Sequence, residues 1–333
     1  AFDDNTGYIY VADCWNHVIR RISPDLSMVD TYRPKDVLPY FWQRTGFAPE
    51  GSSSLLSEDI DQNPSPKRLL FPNDVAIGPD SSLYIVDTTT SVIRKMSPDR
   101  QISNIAGKPG RRGERDGKGS NARFYIPHNI AIDPTDHTLY VSDIRTHCIR
   151  RITKDGEVTT YAGRAYEGAF RDGPRLYARF ISPTGVTVDR FRNLYIAEHG
   201  TNFIRKIRPD GYVLTMKNHR VQFGKRLKGK AAVINFNRPT GIAADPKGNI
   251  VVADSNGATV RRIWGGGIHP AAGFDDKISR EYNIYSSDSD PWTVENRLNP
   301  RPLGLTEFDG PPSYTESPEG RLAPNLATSA SID

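Results

Sequence analysis

Five stretches of the chain read as variants of one another: residues 8–22 (YIYVADCWNHVIRRI), 83–96 (LYIVDTTTSVIRKM), 139–152 (LYVSDIRTHCIRRI), 194–207 (LYIAEHGTNFIRKI) and 250–263 (IVVADSNGATVRRI). Each carries an acid at one phase, Asp13, Asp87, Asp143, Glu198 and Asp254, at intervals of 74, 56, 55 and 56 residues. A unit of this length cannot bury both its faces alone and must stack on its own copies, so the period constrains the fold more than composition does. The interval of 74 is one period with an 18-residue insertion.

Within one unit, alternating apolar residues at 185–189, 194–198, 203–207 and 212–216 are separated by Gly, Pro, Asp and Asn punctuation. Period-2 patterning broken by turn residues predicts four short antiparallel strands. Each unit opens on a proline, Pro72, Pro127, Pro183 and Pro239, and Pro302-Leu303-Gly304-Leu305 reads as a degenerate sixth copy. Four strands per repeat and six repeats predict an all-β, six-bladed β-propeller with five clear repeats and one degenerate or shared blade. The whole of 1–333 is then one propeller domain, with an insertion at 33–62 and irregular or extended segments at 275–299 and 311–333. Ala1-Phe2-Asp3 matches the end of an inner strand, so the two ends are out of phase with the repeat. The chain is expected to be either a piece of a longer one or a ring whose terminal pieces share a blade.

Composition agrees with an ordered core: 37% of residues are hydrophobic, 25% charged and 10% aromatic. No apolar run is long enough to span a bilayer, and the first residues carry no leader pattern. Net charge is +5, which permits an acidic partner without requiring one. The two cysteines, Cys14 and Cys148, fall two blades apart, too far for a disulfide, and are expected as free thiols. The lack of a glycosylation sequon leans toward an intracellular protein, although no compartment is readable from the residues.

The motif at 8–22 and the linker pattern A-G-x(n)-D-G-x(n)-A-R-F-x-x-P, present at 106–127 and again at 162–183, resemble the NHL-repeat family of propellers. In both linkers the glycine and proline, Gly107 and Pro127 or Gly163 and Pro183, stand 20 positions apart. The resemblance covers residues 1–273 and implies a propeller whose mouth faces ligands. Some propellers of related fold hold a catalytic zinc on histidines or a calcium on a Glu/Asn/Asp set. His128 and His199, unique to their blades, are the candidates for a metal ligand here, with Asn129 and Asp74 behind them, and no complete ligand set is recognisable. No cofactor is expected.

The acids and the basic pairs of the third strands (Arg20/Arg21, Arg94/Lys95, Arg150/Arg151, Arg205/Lys206, Arg261/Arg262) recur in every clear blade. A catalytic group is needed once, so recurrence predicts structural pairing. His17 and His147 share one repeat position and are read the same way. Partner contacts are expected where the chain departs from the repeat: Tyr40, Phe41, Trp42 and Phe47 in the insertion, Lys225, Arg226 and Lys228 in the linker before Pro239, and the segment 275–299. Lys108, Arg111, Arg112, Arg115 and Lys118 are placed on the same face as the 225–230 run, as a solvated face or a phosphate-binding stripe. These residues predict a non-enzymatic protein-interaction scaffold, a subunit of a larger assembly. The alternatives are a metal-dependent propeller enzyme and single-stranded RNA binding, the latter disfavoured because no aromatics interleave the basic run at 225–230.

Overall fold

The computed structural model describes residues 1–35, 68–216, 236–245, 247–264, 267–270, 315–316 and 322–323. Residues Ala1–Phe274 form one compact unit and Asp275–Asp333 a second. In the first unit, blade I comprises β1 (Ile9–Asp13), β2 (Val18–Ile22) and β3 (Val29–Tyr32). Blade II comprises β4 (Pro72–Ile77), β5 (Leu83–Asp87), β6 (Val92–Met96) and β7 (Ile102–Ala106). Blade III is built from β8 (Gly117–Lys118), β9 (Pro127–Ile132), β10 (Leu139–Asp143), β11 (Cys148–Ile152) and β12 (Glu157–Ala162), with β8 pairing on the outer edge of β12. Blade IV repeats that plan with β13 (Gly173–Pro174), β14 (Pro183–Val188), β15 (Leu194–Glu198), β16 (Phe203–Ile207) and β17 (Tyr212–Thr215). Blade V has β18 (Pro239–Ala244), β19 (Ile250–Asp254), β20 (Thr259–Trp264) and β21 (Gly267–Pro270). In the second unit, β22 (Thr315–Glu316) pairs with β23 (Leu322–Ala323).

The expectation of six blades is corrected: the described residues form five blade sheets. The sixth copy was read at 302–308, which lies outside the described residues, as does the pairing expected between 304–308 and the N-terminal blade. The N-terminal reading is met in part, since Phe2 bridges Ile9 and the Tyr10 N–H donates to Ala1 O, placing residues 1–3 beside β1 where an inner strand belongs.

Successive inner strands β4, β9, β14 and β18 lie against one another, and β1 lies against β4. The core is therefore a row of layers between blades. Tyr10, Ile19, Val75 and Ile85 share one layer, Val86, Ile93, Phe124 and Val141 the next, Ile149, Phe180, Val186 and Ile196 the third, and Tyr195, Ile204, Phe236 and Val252 the fourth. A middle blade meets a neighbour on each face, so β10 and β15 are buried at every position instead of alternating. Among the described residues blade I has one covered face, and Val11 and Val29 are exposed.

In blades II to V the recurring charges hold the blade to the linker that leads into it. Arg94, Arg150 and Arg205 are almost wholly buried. Arg205 donates to Glu198 Oε2 at 3.0 Å, to Arg179 O at 3.0 Å, to Arg171 O at 2.8 Å and to Asp172 Oδ1 at 2.6 Å. Arg150 repeats the linker contacts on Arg123 O, Arg115 O and Asp116 Oδ1. Arg94–Asp87, Arg20–Asp13 and Arg261–Asp254 pair at 2.9 Å each. The acids also accept backbone N–H groups ahead of the inner strand: Asp87 from Leu70 and Phe71, Asp143 from Tyr125 and Ile126, Glu198 from Ile181, and Asp254 from Asn237. Burial pushes the carboxyls of Asp143, Glu198 and Asp254 up, against these bonds and the arginines. The predicted structural pairing is what the fold contains.

Candidate functional site

The tight loop between the second and third strands of each blade turns on one residue in the left-handed region: His17, Ser91, His147, Asn202 and Ala258, with φ from 47° to 63°. Asn and His enter that region more readily than branched residues, and their side chains are then aimed at the neighbouring blade. His17 Nδ1 contacts Leu70 O, Ser91 Oγ donates to Tyr125 O, His147 Nδ1 accepts from Ser182 N, and Asn202 Oδ1 accepts from Arg238 N. Every acceptor or donor there lies within two residues of the proline that opens the next inner strand. His17 and His147 are thus inter-blade fastenings, and the loops do share a face with the linkers, as expected.

On that face the inner strands present Asn73, His128, Thr184 and Thr240 just after their prolines. Asn73 Nδ2 donates to His128 O at 2.7 Å, and Thr184 Oγ1 donates to Pro239 O at 3.0 Å. Burial lowers the His128 imidazole to about 4, with a hydrogen bond to the Thr184 backbone opposing and the charge of His199 adding to the fall. Burial and then the nearby Arg238 lower His199 as well. Both rings are neutral at physiological pH, and His128 Nδ1 is buried without a hydrogen-bond partner. Among the described residues no three His, Cys, Asp or Glu side chains converge on a metal-sized position. Asn129 and Asp74 instead bridge blades, Asp74 accepting from Ile130 N at 2.9 Å and Asn129 from Val186 N at 2.7 Å. Burial raises the Asp74 carboxyl to about 6, with bonds from Ile130 N and Val75 N opposing.

Cys14 and Cys148 are free, as expected, and burial pushes the Cys148 thiol up to about 12, which leaves it protonated and inert. Tyr40, Phe41, Trp42, Phe47, Lys225, Arg226 and Lys228 lie outside the described residues, as do 36–62 and 275–299. What the described residues add is the pair of linkers. Gly107 and Gly163 have φ of 91° and 90°, and a Cβ on either would come within 2.6 Å of Ser91 O or His147 O, so glycine is required at both. From these glycines the two linkers follow one path: Arg115 Nε donates to Asn121 O at 2.7 Å as Arg171 Nε donates to Tyr177 O at 3.0 Å. Their side chains differ. Linker 163–183 exposes Tyr166, Phe170, Leu176 and Tyr177, with Arg171 stacked 4.0 Å over the Tyr177 ring and a pocket of about 770 Å³ bounded by Arg164, Glu167, Arg171, Tyr177 and Arg179. Linker 107–127 is strongly basic. Sequence reading had grouped Lys108 to Lys118 but missed Arg123. An alignment of the two equal-length linkers carries the signal, because Arg111 falls where the other has Glu167.

Sheets of this kind arrayed in chain order, inner strand against inner strand, define a β-propeller. A family model for the Teneurin NHL domain matches residues 51–162, and one for the NHL repeat matches residues 236–263. The chain is an NHL-repeat β-propeller. It is 30% identical over 270 residues to NHL repeat-containing protein 2 of Homo sapiens, covering 72% of this chain and 36% of that protein. It is 25% identical over 255 residues to Teneurin-m of Drosophila melanogaster, covering 69% of this chain and 9% of that protein. The chain therefore spans little more than a third of the first of these relatives and less than a tenth of the second. Virginiamycin B lyase from Staphylococcus aureus superimposes with a TM-score of 0.48 at 16% identity, over 82% of this chain and 69% of that one. Among the described residues no helix is long and apolar enough to cross a membrane.

Proposed function

We propose that this propeller is a non-catalytic interaction platform, a component of a larger assembly. The observation that supports it most is that the charged groups recurring through the blades are engaged within the fold, on linker backbone and on each other, while the linkers that join blades II to III and III to IV present exposed basic and aromatic side chains that differ between the two. Rigid scaffolds place recognition on such loops. A second reading, metal-dependent propeller chemistry, draws on the neutral His128 with its unpartnered Nδ1 beside His199. Metal analysis of the purified chain separates the two. The platform reading expects divalent metal far below one equivalent, unchanged in His128→Ala; one equivalent that disappears in His128→Ala overturns it.

A further inference from the structure

The two linkers hold equivalent arginines in the same backbone seat. Arg179 Nη1 donates to Leu176 O, Tyr177 O and Ala178 O, and Arg123 Nη1 donates to Ser120 O and Ala122 O. That seat leaves the Nε–Nη2 edge of each guanidinium, the edge that fits a carboxylate. In Arg179 the edge is filled from within the chain: Nε and Nη2 both donate to Glu167 Oε2, at 3.0 and 2.8 Å, and Glu167 Oε1 pairs with Arg164 at 3.0 Å. In the other linker the residue at Glu167's position is Arg111, and Lys108 stands where Arg164 stands.

Among the described residues no carboxylate pairs with Arg111, Arg115 or Arg123. The two acids of the linker are engaged elsewhere, Asp116 on Arg150 and Glu114 as acceptor from the Tyr166 hydroxyl at 2.6 Å. Desolvation, then the charges of Arg115 and Arg111, lower the Arg123 guanidinium's proton affinity, the response of a cation facing like charges. The Arg123 N–H donates to Arg115 O at 2.8 Å, which sets these two arginines on adjacent arms of the folded linker, and a linker that gathers like charges in this way raises the local potential, an arrangement that a bound anion relieves.

We propose that Arg111, Arg115 and Arg123 form a docking site for a carboxylate side chain of an acidic partner segment, which supplies in trans the group that Glu167 supplies in cis one blade further on. The proposal rests on the platform reading and names the chemistry of its partner. A carboxylate is favoured over a nucleic-acid phosphate because the template in the sister linker is a carboxylate on the same edge of the same arginine. The exposed Tyr166, whose hydroxyl reaches back to Glu114, borders the site from the next linker and gives the segment an apolar neighbour.

The test measures fluorescence anisotropy of labelled hexaglutamate, and separately of labelled oligouridylate, against the full chain. Hexaglutamate is expected to bind, and Arg111→Glu, which installs the cis carboxylate, is expected to weaken it by about tenfold or more. The triple substitution Lys225→Ala, Arg226→Ala, Lys228→Ala leaves Arg111, Arg115 and Arg123 untouched and is expected to keep the affinity within about twofold. Equal hexaglutamate affinity for wild type and Arg111→Glu overturns the proposal, and so does oligouridylate binding that is tighter and is lost in Arg111→Glu, which would make the cluster a nucleic-acid site. Circular dichroism of Arg111→Glu shows that a loss of binding is not unfolding. Failure here leaves the platform reading standing, because metal content decides that one separately.

Discussion

The junction between blades II and III and the junction between blades III and IV share a skeleton and differ in how their charges are balanced. Both linkers leave a glycine that cannot carry a side chain, pass an Asp-Gly pair, and seat an arginine on its own backbone carbonyls. Both are gripped by a buried arginine from the blade they lead into. At III/IV the grip includes a direct pair with the blade's own acid, Arg205–Glu198 at 3.0 Å, and the linker arginine has Glu167. At II/III the buried Arg150 is paired with the half-exposed Asp116, and among the described residues the linker arginine, Arg123, has no carboxylate partner. The inner strands repeat the contrast, bridged at II/III by the ionisable Asp74 and at III/IV by the neutral Asn129. One junction is closed on itself; the other is left with positive charge to share.

The largest effect is expected from the grips. Arg205→Ala removes the counter-ion of the buried Glu198 and one donor from each of two linker carbonyls, and should cost about 3–5 kcal/mol, with Arg150→Ala somewhat less costly because its acid partner is half-exposed. Guanidinium denaturation midpoints measure both. A change within the scatter of surface substitutions at either site would break the claim that the recurring pairs carry the fold.

Next comes the inner-strand bridge. The Asp74 carboxyl, normally at 3.8, is raised to about 6 in the folded chain, so the folded state holds a proton that the unfolded state has lost between those values. Its contribution to stability therefore falls as pH rises from 3.8 to about 6 and does not return above that. Asp74→Asn, which copies Asn129, should remove this slope and be the more stable form at pH 8 by about 1–2 kcal/mol. Parallel stability–pH curves for the two proteins would remove the electrostatic half of the comparison.

Exchanging the linker charges should act in opposite directions. Glu167→Ala strips Arg179 of its counter-ion and is expected to destabilise by about 1 kcal/mol, whereas Arg111→Glu gives Arg123 one and is expected to stabilise by about 0.5 kcal/mol. Thermal shifts of the same sign would show that position 111 and position 167 are not equivalent. Smallest of all, Tyr177→Asn, which copies Asn121, removes the ring under Arg171 and should cost about 0.5 kcal/mol.

Much of this was legible in the sequence. The repeat fixes blade membership because an acid, a basic pair and a proline recur at one phase, and the strands β5, β10, β15 and β19 begin and end where the motif predicts. The structural roles of His17 and His147 were legible for the same reason. Two things were not. Full burial of β10 and β15 depends on having a neighbour on each face, a property of the array and not of the strand. The difference between Arg123 and Arg179 depends on one residue 12 positions upstream, Arg111 or Glu167, brought onto the arginine only when the linker folds back. Periodicity detects what repeats, and this site is a departure from the repeat.

The grip of Arg150 and Arg205 on the linkers ahead of their own blades also bears on how such chains grow. The arginine, its acid and the linker carbonyls of blade IV all fall between residues 171 and 205. A segment copied from one linker glycine to the next thus carries the counter-ions of its buried arginine, so a duplicated or transplanted copy takes from its new neighbours only the inter-blade fastenings on backbone groups and a surface to lie against. Gene duplication can lengthen such an array one unit at a time without stranding a buried charge, and single exchanges such as glutamate for arginine can then individualise a copy at its linker while the inherited clamp stays intact.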